Sequence, residues 1–148
     1  MAEAKIFDIV VTEPVIVTAE IDDDHTVIPS TATVGEEINM TLAAVNTGNT
    51  AGDLRIKLVI SPNTTDEATI NTWVAYNIQP GSYGTIPVSG IVINQPGTVE
   101  FGVKVWGETE SEPSWGTAGK TMIGRILNRY CLLYTSDAAD DMQCVDLG

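Results

Sequence analysis

The feature that most constrains this chain is an alternation of period two, repeated in three separate runs. Ile38, Met40, Leu42 and Ala44 alternate with Asn39, Thr41 and Ala43. Leu54, Ile56, Leu58 and Ile60 alternate with Arg55, Lys57 and Val59, and Val99, Phe101, Val103 and Val105 with Glu100, Gly102 and Lys104. Successive side chains of a strand point to opposite faces, so each run gives one row to a core and the other to water. That is the pattern of an antiparallel sheet with one buried face. Wound as a helix, the same residues would scatter around the axis.

Turn chemistry separates the runs. Val34-Gly35-Glu36-Glu37, Asn46-Thr47-Gly48-Asn49, Ser61-Pro62-Asn63, Gln79-Pro80-Gly81-Ser82 and Asn94-Gln95-Pro96-Gly97 all lie between apolar stretches. Gly and Asn tolerate positive φ, and Pro presets the first corner of a turn. The spacing predicts strands over 5–11, 15–21, 31–34, 38–45, 54–60, 69–78, 83–93 and 98–106. The fold class expected is all-β: an immunoglobulin-like antiparallel β-sandwich of about seven or eight strands. The disulfide and buried-Trp signature of antibody domains is missing. The expected organisation is a sandwich over 1–107, then an acidic loop and a last strand or linker over 108–130. An irregular, non-native tail over 131–148 completes it.

The turn sequences carry a resemblance. Thr33-Val34-Gly35-Glu36-Glu37-Ile38, Ala44-Val45-Asn46-Thr47-Gly48-Asn49, Pro80-Gly81 and Pro96-Gly97-Thr98-Val99 are similar to the CARDB type of sandwich, the cell-adhesion-related domain found in bacteria. The similarity runs over residues 6–106 and rests on turn grammar, so it implies the sandwich topology more strongly than adhesion. Two departures from a cell-surface role are the lack of visible tandem repeats and a start, Met1 to Asp8, without an apolar signal region. A second resemblance concerns the tail. Cys131-Leu132-Leu133-Tyr134-Thr135-Ser136-Asp137-Ala138-Ala139-Asp140-Asp141 and the residues after it resemble a translated sequencing adapter. That resemblance implies metagenomic DNA and a natural chain continuing past Tyr130. It also implies that Cys131, Cys144, Asp137, Asp140, Asp141 and Asp146 have no biological role.

Charge narrows the partners. Twenty acidic residues against seven basic ones leave a net charge of −13. Such a chain is repelled by nucleic acid and by anionic membrane surfaces, so neither nucleic-acid binding nor membrane insertion is expected. No stretch approaches the roughly 20 apolar residues that span a bilayer. Both cysteines lie in the tail, so no disulfide framework is expected to hold the domain.

Catalytic material is scarce. The one histidine, His25, sits among acids, no Gly-x-Ser-x-Gly elbow occurs, and no zinc spacing or phosphate-binding loop is visible. Carboxylate pairs of the glycosidase kind arise by chance in so acidic a chain. No cofactor is therefore expected, with one candidate exception. Asp22, Asp23 and Asp24 beside His25 could supply hard oxygen ligands to Ca²⁺, against the plainer reading of a solvated hairpin tip. Trp73, Trp106 and Trp115 are the candidate ligand-binding residues. Trp106 lies on the polar row of its strand and Trp115 in the acidic loop, and exposed rings stack on sugars or anchor protein interfaces. The plainer reading is that such a row is covered.

The expected function is a non-enzymatic structural or interaction module in a virion, filament or cell-surface protein, acting through protein partners or self-assembly. One alternative is a carbohydrate-binding module, which predicts at least two Trp rings coplanar on one exposed face. The other is the accessory domain of a truncated hydrolase. A virion or extracellular surface is the expected location.

Overall fold

The computed structural model describes residues 13–136 and 139–145, with side chains through Cys131. Its elements are β1 (Ala19–Ile21), β2 (Thr31–Thr33), β3 (Glu37–Asn46), β4 (Gly52–Ile60), β5 (Ala68–Ile78), β6 (Tyr83–Val92), β7 (Gly97–Gly107), β8 (Thr121–Ser136) and β9 (Ala139–Val145). β1, β3 and β6 form one sheet in the order β1-β3-β6. The other sheet runs β2-β8-β7-β4-β5, with β9 paired to β8. Every pairing is antiparallel except β2 with β8, which is parallel. The fold is the expected all-β, immunoglobulin-like sandwich.

Period two becomes the core. Ile38, Met40, Leu42 and Ala44 of one sheet meet Leu54, Ile56, Leu58, Phe101, Val103, Val105 and Ile126 of the other in a single buried cluster. Leu42, Leu54, Ile56, Leu58, Phe101, Val105 and Ile126 are fully enclosed. At roughly 25 cal/mol per Å² of apolar surface removed from water, each such side chain stabilises by about 1.5–3 kcal/mol.

Three differences from the expected strands have local causes. The predicted strand 15–21 pairs only from Ala19, because the amides of Ile16 and Val17 are taken by side chains. The Ile16 amide donates to Asn49 Oδ1 at 3.0 Å and the Val17 amide to Thr109 Oγ1 at 2.9 Å. A last strand does form over the region left open between strand and linker, and Gly97 to Lys104 of β7 pair with it. The tail is not irregular: β8 continues to Ser136 and pairs with β9 from Tyr130 opposite Val145 to Ser136 opposite Ala139. Beyond Arg129, however, β9 is its only ladder partner among the described residues. Cys131 faces Cys144 in this hairpin and is disulfide-bonded. The predicted strand 5–11 lies outside the described residues.

Candidate functional site

The acidic connection of residues 108–120 folds back over the outer face of the larger sheet. Alternation leaves Arg55 and Lys57 of β4 on that face, opposite Trp106 and Lys104 of β7. Like charges directly across a ladder repel, and Glu112 resolves the Lys57–Lys104 pair. Its Oε1 lies 2.9 Å from Lys57 Nζ and its Oε2 3.5 Å from Lys104 Nζ. The hydrogen bond from Lys57 is the main cause that holds the Glu112 carboxyl below its ordinary pKa.

Trp115 completes this roof. Its ring packs on Gly102, where an added Cβ would strike both Trp115 and Pro62. Lys104 Nζ lies 4.6 Å from the ring centroid, a cation–π contact. Trp115 Nε1 donates to Glu67 Oε1 at 2.6 Å, and the same oxygen accepts the Asn63 amide at 2.7 Å. The Asn63 amide is the main cause that keeps the Glu67 carboxyl below its ordinary pKa. Beside the ring opens a shallow cleft of about 730 Å³, lined by Asn63, Thr64, Thr65, Glu67, Lys104, Ser114 and Trp115.

The same connection seals the outer edge of β1. The Ala19 amide donates to Glu110 Oε1 at 2.8 Å, Lys120 Nζ donates to the Ala19 carbonyl at 2.6 Å, and the Ile21 amide donates to the Gly119 carbonyl at 2.7 Å. Glu110 and Lys120 form an ion pair of 2.6 Å across this edge. Burial pushes the Glu110 carboxyl up, but the hydrogen bonds from Lys120 and from the Ala19 and Gly107 amides outweigh it and hold the pKa low. The sequence shows only an acidic loop at the start of 108–130. Its acids are the ties of the structure, and only their spatial partners reveal that.

The three tryptophans do not share a face. Trp73 pairs with Ile56, on the inner row, and packs partly buried against the core. Trp106 is on the outer face but only 8% exposed. Its strand is central, between β4 and β8, so both of its rows are covered, as the plainer of the two sequence readings has it. Trp115 borders the cleft described above. Asp22, Asp23 and Asp24 form a turn after β1. Asp22 accepts the Asp24 amide at 3.1 Å and lies 2.7 Å from His25 Nδ1, while the His25 ring stacks on Tyr83 at 3.8 Å. No group of three or more His, Cys, Asp or Glu side chains is arranged to hold a metal ion among the described residues.

A second surface escaped sequence reasoning. β5 and β6 each end a sheet, and among the described residues β5 pairs only with β4 and β6 only with β3. No residue from Ala68 to Val99 is charged. Ile70, Tyr76, Tyr83 and Val92 are exposed on these two strands. The signal was present as a gap in the charge pattern.

No protein-family model and no curated protein sequence matches the chain. Solved structures do. The CARDB domain of a Pyrococcus furiosus protein, determined in complex with di-metal ions, is similar with a TM-score of 0.56 and 12% identity, covering 77% of this chain and 93% of that one. A β-glucosidase from Listeria innocua, in complex with glucose, matches at a TM-score of 0.52 and 13% identity over 77% of this chain. One from Erythrobacter marinus matches at 0.51 and 9% over 75%. This chain spans only 16% of the length of either enzyme. At such identities the likeness is one of fold, and the fold of this chain is that of the CARDB-type immunoglobulin-like sandwich.

Proposed function

We propose that this chain is a non-catalytic interaction module, one domain of a virion, filament or cell-surface assembly. The observation that carries the reading is the uncharged, exposed pair of edge strands β5 and β6 in a molecule of net charge −13. Unpaired strand edges are ready contacts for another polypeptide, and charge is depleted at the centre of protein interfaces. Fold likeness to part of a β-glucosidase assigns no chemistry, because this architecture hosts many functions. The test is a panel of chromogenic glycosides and esters. We expect no turnover above buffer, and turnover lost on Glu67→Gln or Glu112→Gln would reverse the reading.

The coplanar pair of rings expected of a carbohydrate-binding module is not formed, and the cleft at Trp115 favours a narrower second reading, a single-ring site for a polar ligand such as a sugar. An indole ring stands there beside hydroxyl, amide and carboxylate groups from Thr64, Thr65, Ser114, Asn63 and Glu67. A glycan array probed with the full chain and with Trp115→Ala tests it. Binding lost with the ring supports a sugar site, and no binding by either protein removes it.

A further inference from the structure

The two sides of the sandwich are finished differently. On one side β1 is closed by Glu110, Gly119 and Lys120, and β2 is only three residues long. On the other, β5 and β6 follow one another in sequence, end their respective sheets, and carry no charge. Proteins blunt open edges with charges, prolines, bulges or short strands. β6 has Pro87 and a positive-φ Gly90. β5 runs for eleven residues with neither charge nor proline. Its irregularities are register shifts opposite Gly52/Leu54 and Leu58/Val59, a positive φ at Asn77, and a Thr72 amide that donates to Asn71 Oδ1 at 2.8 Å and must turn to a second strand for pairing. Between the two shifts Asn71–Ala75 pairs regularly with β4, and Trp73 is its midpoint.

We propose that this edge receives a second copy of the chain, the two β5 strands pairing antiparallel about a two-fold axis at Trp73 and joining the larger sheets into one. The inference rests on the interaction-module reading and names its partner. Two observations favour a second copy over a different protein. On this uncharged surface two such acidic chains can meet without bringing acids together. A two-fold contact sets a patch on itself, and the regular stretch is centred to do so: Thr72 comes opposite Val74 of the second copy, and Asn71 opposite Ala75. Opposed residues keep their faces in this register. The two smaller sheets therefore lie on the same side of the joined sheet, with their uncharged β6 edges toward one another.

Sedimentation velocity on the full chain, across a wide range of concentration and at low and high salt, is the test. The expected result is a shift from 15.8 kDa to twice that mass, with dimerisation tightening as salt screens the like net charges. The double variant Thr72→Glu/Val74→Glu is the control. In the monomer the new carboxylates lie across β4 from Lys57 and Arg55, which supports folding. In the dimer they face the carboxylates of the second copy, and the affinity falls by about tenfold or more. Circular dichroism and the melting temperature of the variant should match the parent. Amide exchange over Asn71–Ala75 should slow as concentration rises. A monomer at every concentration overturns the inference, as does a dimer that the double variant leaves intact or that salt dissociates. Exchange protection of β5 independent of concentration, the mark of an edge covered within one chain, overturns it too. A monomer without turnover in the glycoside panel leaves the interaction-module reading standing, whereas turnover removes that reading itself.

Discussion

Asn46 shows how much one buried amide can organise. It is fully enclosed, and its Nδ2 donates to the carbonyls of Thr50 at 2.9 Å and Ile78 at 2.8 Å while its Oδ1 accepts the Gly48 amide at 2.9 Å. The Asn-Thr-Gly-Asn turn was legible in the sequence as a turn. That its first residue also ties the end of β5 was not, because Ile78 is distant in the chain. Asn46→Ala leaves those part-buried carbonyls without this donor and the Gly48 amide without its acceptor, and we expect a loss of about 1–3 kcal/mol in chemical denaturation. Gly107 is constrained by closeness, since an added Cβ would meet the Val17 carbonyl. Gly107→Ala should therefore destabilise by about 1–3 kcal/mol. Glu110 has a pH signature. Its folded pKa lies below the unfolded one, so its contribution is present above the ordinary glutamate value of about 4.3. It is lost as pH falls through the folded value. The melting temperature should drop on acidification below that point, and Glu110→Gln should show a shallower drop and a lower plateau at neutral pH.

At the scale of elements, the connection 108–120 does the work that a disulfide does in other sandwiches. It ties β1 through Glu110 and Lys120, and the outer face through Glu112 and Trp115. Exposed ion pairs are worth little each, so the packing of Trp115 on Gly102 should dominate at that end. Trp115→Ala is expected to cost about 1–2 kcal/mol and to raise amide exchange throughout 108–120 while sparing β3 and β4. Uniform loss of protection would show that the connection does not open as a unit. The charge repulsion between Lys57 and Lys104 explains why an acidic loop belongs here, a link invisible until register aligns the two strands.

For the whole molecule, the β8–β9 hairpin beyond Arg129 pairs with itself and, among the described residues, not with the sandwich ladders. The chain cut after Tyr130 should therefore keep its fold, with a melting temperature within about 4 °C of the full chain. A larger fall would make the tail part of the domain. The strands over 31–106 were legible from sequence to within one or two residues, because alternation and turn residues are local and repeat. The strand predicted over 15–21 was too long, because whether a residue pairs or bonds to a side chain depends on distant groups such as Asn49 and Thr109. Trp106 makes a related point: on a central strand the polar row need not be exposed, and that ring is covered although its phase is polar. The sequence by itself determined the all-β class, the turns and the core rows, since one face of each strand must leave water. Tertiary structure alone decided which edges were closed, which ring bordered a cleft and what the acidic loop held. Those outcomes depend on which strands become neighbours, and that is set by how two sheets pack rather than by any local pattern.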